Sequence, residues 1–255
     1  MQNNLRMGLD IGSTTVKIVL IREDKIIYKQ YRRHHSDIQG ELIKVFEDFD
    51  REHPDSRVSI AITGSGGLSV ARWLGLDFVQ EVIAETSAIT RYHPETDVII
   101  ELGGEDAKIT YLHPVPEQRM NGTCAGGTGA FIDQMAMLLN VSITELDELS
   151  LQHEKIYPIA SRCGVFAKSD IQPILNQGGR REDIAASIFQ AVVDQTVAGL
   201  TQGRELTGKI VFLGGPLTFL MGLRQRFIET LELDDRHAIF PENADCFAAL
   251  GAALI

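Results

Sequence analysis

Two cysteines placed where loops roll into helices carry the clearest chemical signal in this chain. Cys124 lies in Asn121-Gly122-Thr123-Cys124-Ala125-Gly126-Gly127-Thr128-Gly129, ahead of the helical pattern Ala130–Met135. Cys163 lies in Ser161-Arg162-Cys163-Gly164-Val165-Phe166, ahead of Ala167–Asp170. A helix start offers unpaired N–H groups and a partial positive charge. Such a place suits an anion, including an iron–sulfur cluster held by thiolates. One chain supplies two such thiols, whereas a cubane cluster takes about four. Two copies related by a two-fold axis would complete the set, each giving the same residues. The alternative for any unpaired cysteine is a small buried filler, and Cys246, in an alanine-rich helix beside Phe247, reads that way.

A second kind of chemistry sits in glycine turns. In Asp10-Ile11-Gly12-Ser13-Thr14-Thr15-Val16-Lys17 an apolar strand ends on an aspartate, which can hold Mg²⁺ through water. Gly12 lets the backbone approach a phosphate, and the amides and hydroxyls of Ser13, Thr14 and Thr15 can donate to its oxygens. A plain β-hairpin turn uses the same residue types. Leu102-Gly103-Gly104-Glu105-Asp106 repeats the plan, with Lys108 in the place of Lys17. Two such turns can clamp a triphosphate from both sides. Gly214-Gly215-Pro216, after a buried strand, offers a flat surface suited to adenosine. Lys168, Ser169, Asp170 and Gln172 follow Cys163 and read either as ribose or adenine contacts or as helix caps.

These segments need elements to hold them. Strands are predicted over Met7–Gly12, Val16–Ile21 and Lys25–Tyr31, the last two joined by a Glu23-Asp24 hairpin tip. A helix over Gly40–Glu52 buries Leu42, Val45, Phe46 and Phe49 on one face. Strand Val58–Ile62 leads into Thr63-Gly64-Ser65-Gly66-Gly67, followed by helices over Leu68–Leu74 and Val82–Arg91. Strands Asp97–Leu102 and Ala107–Leu112 open a similar second module. Helices then fit Gly129–Leu139, Ile143–Leu149, Asp170–Asn176, Arg181–Glu205, Phe219–Leu231 and Cys246–Leu254, with strands at Lys209–Leu213 and Ala238–Phe240. His34-His35 reads as a solvated loop pair, Glu145–Glu154 as a wet helix face, and Trp73 as packing.

The 255 residues are 44% hydrophobic, enough for a sizeable core, and carry a formal net charge of −11 without a basic run. Nucleic acid and anionic membrane are therefore not expected as partners. No apolar stretch reaches the roughly 18 residues that a bilayer span needs. A cytoplasmic protein is expected, and its three cysteines do not read as a disulfide framework.

Taken together, the segments resemble the actin, sugar-kinase and heat-shock-chaperone ATPase superfamily over nearly the whole chain. Asp10–Lys17 looks like its first phosphate motif, Glu101–Lys108 like its second and Val211–Pro216 like its adenosine motif. Gly126–Asp133 and Asp245–Ala253 look like its two connecting helices. The resemblance implies an α/β fold of two ribonuclease-H-like lobes with a nucleotide cleft between them. The lobes are expected at 1–110, completed by 245–255, and at 111–244.

The two cysteine segments narrow the match. They resemble the ATP-dependent activators of 2-hydroxyacyl-CoA dehydratases, a family that also serves benzoyl-CoA reductases. The resemblance implies a homodimer with one [4Fe–4S] cluster held by Cys124 and Cys163 of each subunit. It implies loading by reduced ferredoxin or flavodoxin, ATP and Mg²⁺ binding, and electron delivery to a separate iron–sulfur dehydratase or related enzyme. On it, Asp10, Glu105 and Asp106 are the catalytic candidates. Gly12, Ser13, Thr14, Thr15, Lys17, Gly103, Gly104, Gly126, Gly127, Thr128, Lys168, Asp170, Gly214, Gly215 and Pro216 are the nucleotide contacts. Glu101 and Glu105 stand where the family often has aspartate and glutamine. Competing readings are a small-molecule kinase of the same fold and an actin-like assembly or regulatory protein.

Overall fold

The computed structural model describes residues 5–54, 56–121, 126–161 and 163–255. The chain divides into two units, Met1–Glu95 with Asp245–Ile255, and Thr96–Ala244.

In the first unit, β1 (Leu5–Ile11), β2 (Thr15–Arg22) and β3 (Lys25–Arg33) form an antiparallel meander. The tip residues Glu23 and Asp24 both have positive φ, the conformation of a two-residue turn that matches strand twist. Helix α1 (Ile38–Glu52) leads to β4 (Val58–Thr63), which pairs parallel with β1. Helix α2 (Gly67–Leu74), the short edge strand β5 (Asp77–Phe78) and α3 (Glu81–Tyr92) follow. The sheet order is β3-β2-β1-β4-β5. Strands β1 and β2 are almost wholly buried because both faces of the sheet are covered. Leu42, Val45 and Phe49 of α1 pack with Leu9, Ile18, Leu20 and Ile62 on one face. The C-terminal helix Phe247–Leu254 covers the other, with α3 packed on that helix, and a Cβ at Gly8 would overlap the Ala249 carbonyl.

The second unit repeats this order. It contains β6 (Val98–Leu102), β7 (Ala107–Tyr111), β8 (Glu117–Met120), α4 (Gly129–Leu139), α5 (Ile143–Ser150), α6 (Gly164–Asn176) and α7 (Arg181–Thr201). It closes with β9 (Ile210–Leu213), α8 (Gly215–Phe219), α9 (Met221–Thr230) and β10 (Ala238–Ile239). The sheet runs β10-β9-β6-β7-β8, with β6–β7–β8 antiparallel and β6–β9–β10 parallel. Each sheet is thus a three-strand meander extended by two parallel strands.

Several boundaries differ from the sequence reading. The division falls at Glu95/Thr96 rather than 110/111, because β6 and β7 pair within the second sheet. Helix α6 begins at Gly164 rather than Asp170, with Pro173 carried inside it. Helix α7 stops at Thr201 because Gln202 and Gly203 turn to positive φ. The expected helix Phe219–Leu231 is α9, which starts at Met221 after an extended Leu220, and the short helix α8 before it was not expected. One described helix, α7, is by length and composition apolar enough to cross a membrane, contrary to the expectation of none. Its apolar window is 67% buried, and Ile184, Ile188, Phe189 and Val192 belong to the core of the second unit.

Candidate functional site

The turn after β1 is built around a buried carboxylate. Asp10 faces Lys17 across the β1–β2 ladder, and Lys17 Nζ donates to Asp10 Oδ2 at 2.8 Å. Asp10 is 1% exposed, and its Oδ1 finds no hydrogen-bond partner among the described residues. An acceptor-only oxygen in that state suits a hydrated Mg²⁺, which is commonly held by one or two carboxylates through water. The residues present fit the ion on that observation.

The turn itself closes by Gly12 N–H to the Thr15 carbonyl at 2.9 Å. A Cβ at Gly12 would meet only ordinary contacts, 3.6 Å from the Thr15 carbonyl oxygen and Oγ1, and its φ is not left-handed. The described packing does not demand glycine there, and its backbone is open to close approach. Ser13 is exposed, Thr14 half-buried and Thr15 buried.

His34 corrects the expectation of a solvated loop pair. It is 5% exposed and braces the turn. The Ser36 amide donates to its Nδ1 at 3.1 Å, so Nε2 carries the proton and donates to the Gly12 carbonyl at 3.1 Å. Sequence reasoning also passed over Gly64. Its φ is +93°, and a Cβ would overlap Asp10 Oδ1 and the Ile11 carbonyl. Gly66 N–H donates to that carbonyl at 2.8 Å, so the turn after β4 closes onto the end of β1. The run Thr63-Gly64-Ser65-Gly66-Gly67 was the available signal.

The turn after β6 repeats the first with an added carboxylate. Glu101 faces Lys108 across the β6–β7 ladder, and Lys108 Nζ lies 2.8 Å from Glu101 Oε2 and 3.0 Å from Asp106 Oδ2. Lys108 therefore ties Asp106 to the sheet, while Glu105 beside it is exposed. Gly103 N–H donates to the Asp106 carbonyl at 2.8 Å. The first turn of α4 docks on this loop: Gly129 N–H reaches the Gly103 carbonyl at 3.0 Å, and Ala130 N–H the Gly104 carbonyl at 2.7 Å. Gly126 and Gly127 are buried, and Thr128 is the fully buried N-cap of α4.

Gly214 and Gly215 are buried at the end of β9, and Pro216 is half-buried. A Cβ at Gly214 would overlap the Leu102 carbonyl, so close strand packing by itself explains that glycine. Its N–H donates to the Ala244 carbonyl at 3.0 Å.

Cys124 lies outside the described residues. Cys163 is a free, half-buried thiol at the N-cap of α6, and among the described residues no side chain caps that helix start. A thiolate ligand for a cluster fits there, beside the free N–H groups of the first turn. Val165 and Phe166, just beyond it, are 71% and 65% exposed. Lys168 is exposed and lines a depression of about 500 Å³ with Gln134, Met135, Met137, Leu138, Gly164 and Val165. Asp170 Oδ2 accepts the Ala160 N–H at 2.8 Å and so shapes the loop before Cys163. Ser169 and Gln172 bond within α6, to the Val165 carbonyl and Asn176 Oδ1.

Cys246 is 1% exposed, and burial, with Asp245 beside it, pushes its thiol pKa far up. It is a filler, as its surroundings in sequence suggested. Trp73 is 62% exposed rather than packed. Within the acidic stretch, Asp147 is not on a wet face: it is 8% exposed and accepts the Met221 and Gly222 N–H groups at the start of α9.

An activator of lactoyl-CoA dehydratase from Anaerotignum propionicum is 30% identical over 255 residues, covering 97% of this chain and 95% of that protein. The crystal structure of component A of the Acidaminococcus fermentans (R)-2-hydroxyglutaryl-CoA dehydratase matches with a TM-score of 0.88 and 27% identity, over 98% of this chain and 96% of that one. The activator of the 2-hydroxyisocaproyl-CoA dehydratase from Clostridium difficile, solved with bound ADPNP, matches with a TM-score of 0.85 and 27% identity, over 98% and 93%. The fold is that of the actin-like ATPases. The model of one family matches residues 7–255, and on that span this chain belongs to the BadF/BadG/BcrA/BcrD ATPase family.

Proposed function

We propose that this chain is an ATP-driven one-electron donor that activates a 2-hydroxyacyl-CoA dehydratase or a related iron–sulfur enzyme. It works as a homodimer, with Cys124 and Cys163 of each subunit holding one [4Fe–4S] cluster, and takes its electron from reduced ferredoxin or flavodoxin. The observation that carries the reading is the half-buried Cys163 thiol at the uncapped start of α6, in a chain whose relatives are named as dehydratase activators.

The roles of the residues follow from their surroundings. Asp10 would hold hydrated Mg²⁺ through Oδ1, while Lys17 keeps Oδ2 in place. The amides and hydroxyls of Gly12–Thr15 donate to phosphate, with His34 fixing the Gly12 carbonyl away from it. The turn Gly103–Asp106 receives phosphate on the other glycine backbone, supported by the first turn of α4 and by Gly126–Thr128. Lys108 fixes Asp106, and the exposed Glu105 orients the attacking water. Adenosine lies against Gly214-Gly215-Pro216. The cluster, when bound, supplies the one-electron redox couple. The N–H groups at the start of α6 would stabilise negative charge next to Cys163, and a change in their aim would tune the potential of a bound cluster.

The test is iron and acid-labile sulfide analysis of anaerobically prepared protein, with its mass in solution. About four irons per dimer are expected. Cys124→Ala and Cys163→Ala should each abolish iron binding, and Cys246→Ala should keep it. An iron-free monomer that phosphorylates a small hydroxyl compound would establish a kinase instead.

A further inference from the structure

Asp10 and Thr63 occupy matched positions at the ends of the parallel strands β1 and β4. Residues in register on adjacent strands project from the same face. Both are buried, Asp10 at 1% and Thr63 at 0% exposure. Each leaves one oxygen without a hydrogen-bond partner among the described residues, Oδ1 of Asp10 and Oγ1 of Thr63. Buried unpartnered oxygens are rare in native proteins. Two of them at paired register positions mark a place that the described groups do not satisfy.

Chemistry narrows what fills it. A carboxylate oxygen accepts only, whereas a hydroxyl both donates and accepts. Lys17 already serves the other Asp10 oxygen. Gly64 follows Thr63 and closes over Asp10 Oδ1 with a residue that has no side chain. A partner that brings donors of its own satisfies both oxygens. A divalent cation that keeps its waters does so, each water donating to an oxygen beside it.

We propose that Thr63 is a positioning residue of the divalent-cation site. Its hydroxyl accepts a hydrogen bond from a water of the Mg²⁺ that Asp10 Oδ1 holds, and fixes that hydrated ion on the strand ends. The role rests on the nucleotide-binding reading above, deepens it by a residue on the neighbouring strand, and is exerted through water rather than by contact with the reacting phosphate.

The test uses the full chain with ADP and Mn²⁺ as the probe, read by the electron paramagnetic resonance signal of free Mn²⁺. Thr63→Val keeps the shape and removes the hydroxyl; Thr63→Ser restores it. The expected result is a loss of about tenfold in Mn²⁺ affinity for Thr63→Val, the scale of one hydrogen bond in a charged network. Thr63→Ser should stay within about threefold of the parent. A purely structural hydroxyl predicts the opposite pattern: Thr63→Val melts at a higher temperature and binds Mn²⁺ as the parent does. That result overturns the assignment and leaves nucleotide binding standing. A parent chain that binds neither ADP nor Mn²⁺ sinks both. Should Thr63→Val fail to fold, Thr63→Ala removes the same hydroxyl and is read in the same way.

Discussion

Lys17 Nζ lies 2.8 Å from Asp10 Oδ2, with the two side chains only 13% and 2% exposed. This contact keeps a charged carboxylate in a nearly solvent-free strand end. Removing one member of a buried ion pair leaves the other charge desolvated, at a cost of about 3–5 kcal/mol. Lys17→Met should therefore lower the unfolding free energy of the protein by that amount in urea titrations. The double change Asp10→Asn with Lys17→Met should recover most of it, because two neutral groups replace two charges. Nucleotide binding in Mg²⁺ should be lost in both proteins.

Lys108 serves two carboxylates at once, at 2.8 Å to Glu101 and 3.0 Å to Asp106. Glu101→Gln should be tolerated better than Lys108→Met, because Asp106 still balances the lysine charge. The lysine change removes both ion pairs and releases Asp106 from the sheet. It should lower stability by about 3–5 kcal/mol and slow ATP hydrolysis, whereas Glu101→Gln should cost about half as much or less. Urea titration and phosphate release assays measure the two effects separately.

The glycines divide by physical reason. Gly12→Ala meets only 3.6 Å contacts and has an ordinary φ, so it should fold with stability unchanged or raised by about 0.4–1 kcal/mol. If the open backbone is there for phosphate, the same change should weaken ATP binding by about tenfold or more, which calorimetry would read. Gly64→Ala combines a φ of +93° with overlap on Asp10 Oδ1 and the Ile11 carbonyl. It should lose both stability and nucleotide binding. Equal behaviour of the two variants would remove the argument that Gly12 serves a ligand.

What could be read in advance follows from how local the signal was. The hairpin Asp10–Lys17 and its counterpart Glu101–Lys108 were legible because strand, glycine turn and paired charge lie within one short window. The apolar face of α1 was legible for the same reason. Strands β5 and β8 were missed because two and four residues at a sheet edge carry no usable periodicity. The start of α6 was hidden by Gly164 at its beginning, a poor helix former that the surrounding packing overrides. His34 and Thr63 needed tertiary knowledge. The first is buried by its bond to Gly12, 22 positions away, and the second by the β1–β4 register, neither of which leaves a mark in its own neighbours.

Glu105 is exposed in the turn after β6, next to the anchored Asp106. An exposed side chain in a loop contributes little to folding, within about 0.5 kcal/mol. A group that orients or activates water contributes about 10²-fold or more to rate. Glu105→Ala should therefore melt like the parent and hydrolyse ATP about 10²-fold more slowly. A stable variant with parental turnover would move the water-orienting role elsewhere.

Cys246 and Cys163 should separate cleanly in thiol chemistry. Cys246 is 1% exposed, and its thiol is pushed up first by burial and then by Asp245, so it stays protonated and unreactive. Iodoacetamide at pH 8 should label Cys163 in iron-free protein and spare Cys246 until urea is added. The same shift sets a pH dependence. The native state keeps the Cys246 proton above the pH at which the unfolded chain, with an ordinary thiol pKa of about 8.5, gives it up. A group whose native pKa is raised adds stability that is whole below the unfolded value and falls as pH rises beyond it. The unfolding free energy should therefore decline between about pH 8.5 and 10, before the tyrosines titrate. Cys246→Ala should flatten that decline, and an unchanged slope would show that the thiol is not the group responsible.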